Sequence, residues 1–375
     1  NFYQRKKKIN MKIVLMVAGV RGGSGFFQQL LDGHKEILTL PGHLRIDDEF
    51  KKFVSLRDSF KLSTKFIQMY PEYFDSRLNT FERHDKLGKK KNKYFFVNKK
   101  KFIDHFVKIN KENKKFDKFL NLKNIHLAYS LAKGESVKKK KIILLHPHLV
   151  SWTTELIKFI NLKNFVILHI IRHPLSAINS AIKNWLNYKN GSSFFAKDLY
   201  FTLDLLFNGI NDLTKLGKVF IIQYEHLHWK NLTTMKSFCK TFKIKYDNCL
   251  KVPTLSGLKW WGDKVSKKWM NGVNKNYQIK IDKTLFFNRD LYFLQSINKK
   301  IFEKYKYQYL YPKKNIHINF FPLKCEILVF FNSIKNLNRW KQFLSIPYFY
   351  FKRIILINKF RLIERRLPKS IGDLL

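Results

Sequence analysis

The sequence is short of acid. Only 27 Asp and Glu stand against 73 Lys and Arg in 375 residues, a formal net charge of +46. One reading of such an excess is an anionic partner: nucleic acid, a membrane surface or a polyanionic substrate. The other is compositional. Only 13 of the basic residues are Arg, and Lys, Asn, Ile and Phe dominate the chain, the bias that AT-rich codons produce. Evenly spread lysines argue against a shaped nucleic-acid face, so no specific nucleic-acid partner is expected. Cysteine is scarce too. Cys239, Cys249 and Cys325 are odd in number and show neither metal-ligand spacing nor a disulfide framework. A reducing, cytoplasmic setting is the expectation, and no metal site is read. No apolar run reaches the ~18 residues of a membrane span. No signal-peptide pattern is visible, and the basic residues before Met11 read as lying upstream of the true start.

Two common nucleotide-binding signatures are missing as well. No Gly-Lys-Ser/Thr follows the first glycines, as a nucleotide-triphosphate P-loop requires. In the dinucleotide pattern Gly23 and Gly25 fit, but Gln28 stands where the third glycine belongs.

What is present alternates. KIVLMVA at 12–18 reads as a buried strand, followed by the Gly-rich turn GVRGGSG at 19–25 and a helix. Strand patterns return at 141–145, 165–171 and 218–224, with helices between them at 149–161, 175–185 and 195–215, and another at 229–242. Strands and helices at this spacing predict a parallel, doubly wound α/β sheet flanked by helices. Ligands of such sheets sit at the carboxyl ends of the strands. Residues 45–140 read as a mostly helical insertion, with a charge-dense loop or hairpin tip at 87–101. The main domain is expected over 11–283, with a basic, aromatic-rich helical extension over 284–375. Its tail, 334–366, is a basic amphipathic stretch with Trp340, Phe343, Phe349, Tyr350 and Phe351, suited to peripheral contact with an anionic membrane or to packing as a helix pair.

The turn at 19–25 makes an anion site physically reasonable. Glycines let backbone N–H groups crowd a phosphate, and the following helix adds partial positive charge. Arg21 stands at the tip with a bidentate fork, and Ser24 adds a hydroxyl. An ordinary tight strand–helix turn is the competing reading. A second element, IIRHPLSAINSAIKNW at 170–185, places Arg172 at a strand end and Ser180 two helical turns later. An Arg fork and a hydroxyl can converge on a phosphomonoester, or Arg172 can cap a neighbour and Ser180 lie on a helix surface.

Together these segments resemble the sulfotransferase family. Its 5′-phosphosulfate loop has a basic residue, a glycine and hydroxyls, then a helix reading LLDxH. Arg21, Gly23 and Ser24 fall on that pattern within G-V-R-G-G-S-G-F-F-Q-Q-L-L-D-G-H. Gly22 replaces a usual Ser and Gly25 a usual Thr, which puts one phosphate contact in doubt. The resemblance implies a P-loop-like sulfotransferase fold and 3′-phosphoadenosine 5′-phosphosulfate as donor. It implies a donor site of Gly22, Gly23, Ser24, Gly25 and Phe26 on the loop and Arg172 and Ser180 at the 3′-phosphate. Tyr224, in VFIIQYEHL, would lie near the adenine. Lys259, Trp261 and Gly262, in GLKWWGDKVS, would belong to a loop closing over the nucleotide. Transfer also needs a base near the acceptor. His43, His146 and His148 are the candidates, since histidine titrates near neutrality, while Arg21 would neutralise charge on the bridging oxygen. His34 reads as structural. The acceptor is unidentified; the Lys and aromatic content of 45–140 suits a carbohydrate or an anionic glycan. A P-loop phosphotransferase would need a Lys-Ser/Thr loop and a Mg²⁺ carboxylate. A non-catalytic basic protein binding nucleic acid or membrane, on a degenerate core of this kind, is the other alternative.

Overall fold

The computed structural model describes residues 11–111, 116–187, 195–264, 269–312, 320–334, 340–362 and 367–373. The decapeptide before Met11, and residues 265–266 of the GLKWWGDKVS segment, lie outside the described residues.

A five-stranded parallel sheet organises the molecule. Strand β1 (Lys12–Ala18) is followed by helix α1 (Ser24–Leu30) and a two-residue strand β2 (Ile37–Leu38) that the sequence pattern does not announce. Among the described residues five α-helices follow, α2 (Asp48–Val54), α3 (Ser59–Met69), α4 (Pro71–Phe74), α5 (Lys99–Lys111) and α6 (Lys118–Ala132), with a short 3-10 turn at Ser76–Leu78. The chain then alternates through β3 (Ile142–His148), α7 (Val150–Phe159), β4 (Phe165–Ile171), α8 (Pro174–Asn187), α9 (Ala196–Leu216) and β5 (Val219–Gln223). The strand order is β2-β3-β1-β4-β5, and every pairing is parallel. All strands therefore end along one edge, and β1, the middle strand, opens its loop between β3 and β4. β1 is buried through Val14–Ala18, as a strand covered on both faces must be, which is why it reads as an unbroken apolar run.

The pairing of β1 with β3 is irregular at one point. Leu15 pairs with Leu145 but Val17 pairs with His148, so β3 carries one residue more than β1. The bulge coincides with His148, whose φ of 66° is left-handed. Bulges of this kind re-aim side chains.

The 45–140 segment is helical, and Asp47, Asp58 and Asp117 cap α2, α3 and α6 by accepting the N–H of Phe50, Lys61 and Leu120. Rings such as Phe66, Phe74, Phe102 and Tyr129 interlock edge-on or tilted, so its aromatics build a core. Its charged tip is a small hairpin, with Leu87 bridging Lys93.

After β5 come α10 (His226–Trp229), α11 (Asn231–Phe242) and a two-strand hairpin of β6 (Thr254–Leu255) and β7 (Leu258–Lys259). The C-terminal region adds α12 (Asn288–Ile297), α13 (Lys299–Lys304), α14 (Lys324–Ile334) and α15 (Trp340–Leu362). It is built into the same hydrophobic core as the sheet. Ser370 bridges Ile221 in parallel, and Ile221 N–H donates to the Lys369 carbonyl at 3.1 Å.

Candidate active site

The cleft lies where the strands end. It encloses about 1100 Å³, and its walls bring together the 18–26 segment, Glu82, His148, Arg172, Ser180, Tyr224, Asp263 and Tyr277. Stretches far apart in the chain thus meet at one place.

Its floor is the turn after β1. Gly19 N–H donates to the Ile170 carbonyl at 2.7 Å, and Gly22 N–H returns to the Gly19 carbonyl at 3.0 Å. Glycine is required here by contact. A Cβ at Gly22 would lie 2.2 Å from the Ile170 carbonyl oxygen, and one at Gly23 would lie 2.2 Å from the Tyr224 ring. Gly23 also has φ 79° as the N-cap of α1, with no side-chain cap. The N–H groups of Gly23, Ser24, Gly25 and Phe26 thus begin a helix and have no acceptor within it. Gly25 differs: a Cβ there would meet nothing within 4 Å.

Arg21, with φ 45°, reaches Asp263 at 3.4 Å. On the opposite wall Arg172 donates to the Tyr277 hydroxyl at 2.7 Å and lies 5.1 Å over the Tyr224 ring. Its Nε is buried, with no hydrogen-bond partner among the described residues. Ser180, Asn179 and Lys183 follow on α8; Asn179 accepts the Asp282 N–H at 2.9 Å, and Lys183 pairs with Asp282 at 2.8 Å. The Arg172 turn is fastened to the end of β5: Glu225, fully buried, accepts the His173 N–H at 2.9 Å.

The three candidate histidines converge. His43 and His148 rings lie 4.9 Å apart, His146 and His148 5.3 Å, and His43 and His146 6.0 Å. Of the three, His148 lines the cleft; His146 is buried beside it, and His43 is exposed to solvent. Their tautomers follow from Gln28. Its Nε2 donates to the Leu40 and Gly42 carbonyls at 2.7 and 3.2 Å, so its Oε1 must accept from His146 Nδ1 at 2.8 Å. A neutral His146 then offers a lone pair at Nε2, and His148 Nδ1, 3.3 Å away, donates to it. Ser24 Oγ is 3.5 Å from the same Nδ1. Among the described residues no hydrogen bond reaches His148 Nε2. Burial lowers all three rings: His148 to about 3, with His43 and Arg21 adding to the effect, His146 well below its usual value, and His43 by burial and then by Arg45. Each is a neutral imidazole at neutral pH. Among the described residues no group of three or more His, Cys, Asp or Glu is placed to hold a metal ion.

The remaining candidates lie off the cleft wall. Lys259 stacks 4.0 Å over Trp261 and donates to Asn271 at 2.6 Å, and Trp261 Nε1 donates to the Gly88 carbonyl at 2.7 Å. Gly262 (φ 84°) makes the turn between them and the cleft. The 257–264 loop does reach the cleft, through Trp260 and Asp263. His34 is held by its surroundings, accepting Glu36 N–H at 3.1 Å and donating to the Lys245 carbonyl at 3.0 Å. Asp32 of the LLDxH run takes Thr254 Oγ1 and Gly257 N–H, both at 2.8 Å, tying α1 to the hairpin.

Three residues are not visible from sequence: Tyr277, Gln28 and Glu82. Tyr277 lies in a strandless stretch with no motif. Gln28 registers only as a failed glycine. Glu82 stands in the cleft wall near Arg21 and Asp263, and desolvation first, then Asp263, raises its carboxyl to about 7. Nothing in the local sequence marks it.

No family model matches the chain, and no curated protein matches it in sequence. Two solved structures similar to it are sulfotransferase domains. One is from the olefin synthase of Synechococcus PCC 7002, with TM-score 0.40, 10% identity, and coverage of 72% of this chain and 90% of that domain. The other is from the curacin biosynthetic pathway, with TM-score 0.40, 15% identity, and coverage of 81% of this chain and 94% of that domain.

Proposed function

We propose that this protein is a sulfotransferase that uses 3′-phosphoadenosine 5′-phosphosulfate as donor. The observation that carries the reading is the meeting, in one cleft at the strand ends, of an uncapped glycine turn, an Arg–Ser pair and a neutral histidine. The turn would hold the phosphosulfate through the N–H groups of Gly23 to Phe26. Arg172 and Ser180 would hold the 3′-phosphate; the buried, unpartnered Nε of Arg172 is a donor in want of an acceptor. Tyr224 would pack beside the base.

In the reaction His148 Nε2 takes the proton of an acceptor hydroxyl or amine. The acceptor atom forms a bond to sulfur as the bond from sulfur to the bridging oxygen breaks, leaving adenosine 3′,5′-bisphosphate. Negative charge grows on the bridging oxygen, where Arg21 and the turn would meet it. A bound anion also raises the basicity of His148 above its value in the empty cleft, by the same electrostatics that lowers it beside Arg21. The position of the helical 45–140 region, which supplies Glu82, suits it to shaping an acceptor pocket; a carbohydrate or anionic glycan fits its lysines and the aromatics left exposed outside its core, such as Tyr94 and Phe96.

Calorimetric titration with adenosine 3′,5′-bisphosphate tests the donor site, with adenosine 5′-monophosphate and Arg172→Ala as controls. Micromolar binding that needs the 3′-phosphate is expected. Losing Arg172 is expected to weaken it at least tenfold, in line with about 1.5–3 kcal/mol for a charged hydrogen bond. Equal binding of both nucleotides would leave a fold without this activity.

A further inference from the structure

Helix α15 is apolar on two faces, and among the described residues only one of them is covered. Its inner face buries Arg353, Ile354, Ile357 and Phe360 against the rest of the protein, with the Phe360 ring tilted against Phe207 of α9, centroids 4.6 Å apart. Its outer face presents Leu344, Tyr348, Phe351 and Ile355, each between 53 and 62 % exposed. Their spacing of four, three and four residues puts them on a single helical stripe. Phe320, Phe321 and Phe331, all more than half exposed, lie on the adjoining turn and on α14. A water-facing surface rarely leaves so many large apolar side chains together without a use.

The charged side chains described on α15, Lys352, Arg353 and Lys359, are all basic. Residues 327–363 contain seven Lys or Arg and no Asp or Glu. Lys352 and Lys359 sit on the helix row next to the stripe, and Lys352 Nζ lies 4.5 Å over the Tyr348 ring. Between α9, α14 and α15 an almost wholly apolar cavity of about 490 Å³ opens, walled by Leu199, Leu203, Phe330 and Phe349. Its one charged feature is satisfied: Arg353 grips Glu326 at 2.9 and 3.0 Å. Among the described residues no helix is long and apolar enough to cross a membrane, so this face can lie on a bilayer but not span it.

We infer that the α14–α15 face docks on an anionic lipid bilayer. The aromatic stripe enters the headgroup boundary, Lys352 and Lys359 meet the lipid phosphates and carboxylates, and the apolar cavity can receive an acyl chain. An apolar, half-aromatic stripe flanked by lysines, on a helix without acid, is the composition of an interfacial helix, and basic residues near such a surface add electrostatic attraction to its anionic lipids. This inference does not rest on the sulfuryl-transfer reading, because it concerns a different part of the molecule.

The test is co-sedimentation of the full chain with vesicles of phosphatidylcholine alone or with about 30 % phosphatidylserine, at about 0.1 M salt. Binding is expected only to the anionic vesicles. Leu344→Asp with Phe351→Asp is expected to weaken it at least tenfold. Phe60→Asp with Leu78→Asp makes the same charge change at exposed apolar residues of the 45–140 region and is expected to bind like the parent. Three outcomes would overturn the inference. They are no binding to anionic vesicles, equal weakening by both variants (diffuse charge alone), and a lipid-free dimer by light scattering that Phe351→Asp dissociates (self-association through this face). Circular dichroism of each variant confirms that it is folded.

Discussion

The two halves of the cleft handle charge in opposite ways. One half gathers it: Arg21 faces Asp263, Lys183 faces Asp282, and Arg172 leans on the Tyr277 hydroxyl. The other half expels it: His148 and, beside it, His146 are packed together and held neutral by burial. The first is suited to holding an anion, and the second to receiving a proton. Electrostatics separates the two tasks across a few ångströms of one wall, since Ser24 of the anion turn touches the last histidine of the proton side.

Three experiments can break or sharpen that division. The largest effect is expected at His148. His148→Asn keeps a residue that tolerates left-handed φ and removes the proton acceptor. Turnover should fall by about a hundredfold or more, while the bisphosphate affinity moves less than about threefold. An equal loss of both would assign His148 to the anion half. Next comes the turn. Gly23→Ala drives a Cβ into the Tyr224 ring at a left-handed position, and bisphosphate binding should drop by an order of magnitude or more. Gly25→Thr, in open space, should retain affinity within about threefold. Matching losses would show that the turn is set by something other than contact with Tyr224.

The smallest effect concerns pH. His148, His146 and His43 have folded pKa values below the ordinary histidine value of 6.5. Between the two values the unfolded chain binds the proton and the folded chain does not. Stability is therefore full above about pH 6.5 and is lost as the pH falls toward 3. Other buried histidines, His126 and His169 at about 4, act in the same direction. Urea midpoints between pH 7 and 5 should fall with pH, and His148→Asn should reduce the slope by about 1 kcal/mol per pH unit. An unchanged slope would mean that His148 titrates in the folded protein as it does in the unfolded chain.

The sheet is legible in the sequence because its strands carry their own signal. β1 matches the predicted 12–18 run residue for residue, and β4 matches 165–171, since a strand buried on both faces has no polar alternation to confuse it. β2 is not legible: two residues are too few to show a period. The apolar pattern of β3 stops at 145, yet the strand runs to His148, because a Pro and a bulge interrupt the pattern while pairing continues. The side of the cleft built from the glycine turn and Arg172 can be read because its residues sit at strand–helix junctions, where sequence and position are coupled. The rest of the cleft cannot. Gln28 acts through two carbonyls and a ring supplied by other segments, and Glu82 acts through its distance to Asp263 and Arg21. Such roles depend on how segments far apart in the chain meet. The exposed stripe of α15 falls between the two cases: its composition is visible, but packing decides which of its apolar faces is left uncovered.

The bond between Glu225 and the His173 N–H has a mechanical consequence. It rivets the strand end that carries Tyr224 to the turn that carries Arg172, so the two cannot be displaced independently. A ligand that spans them meets one jaw instead of two fingers. Loosening the rivet would cost grip at both ends of that ligand together, even though Glu225 itself is buried out of reach.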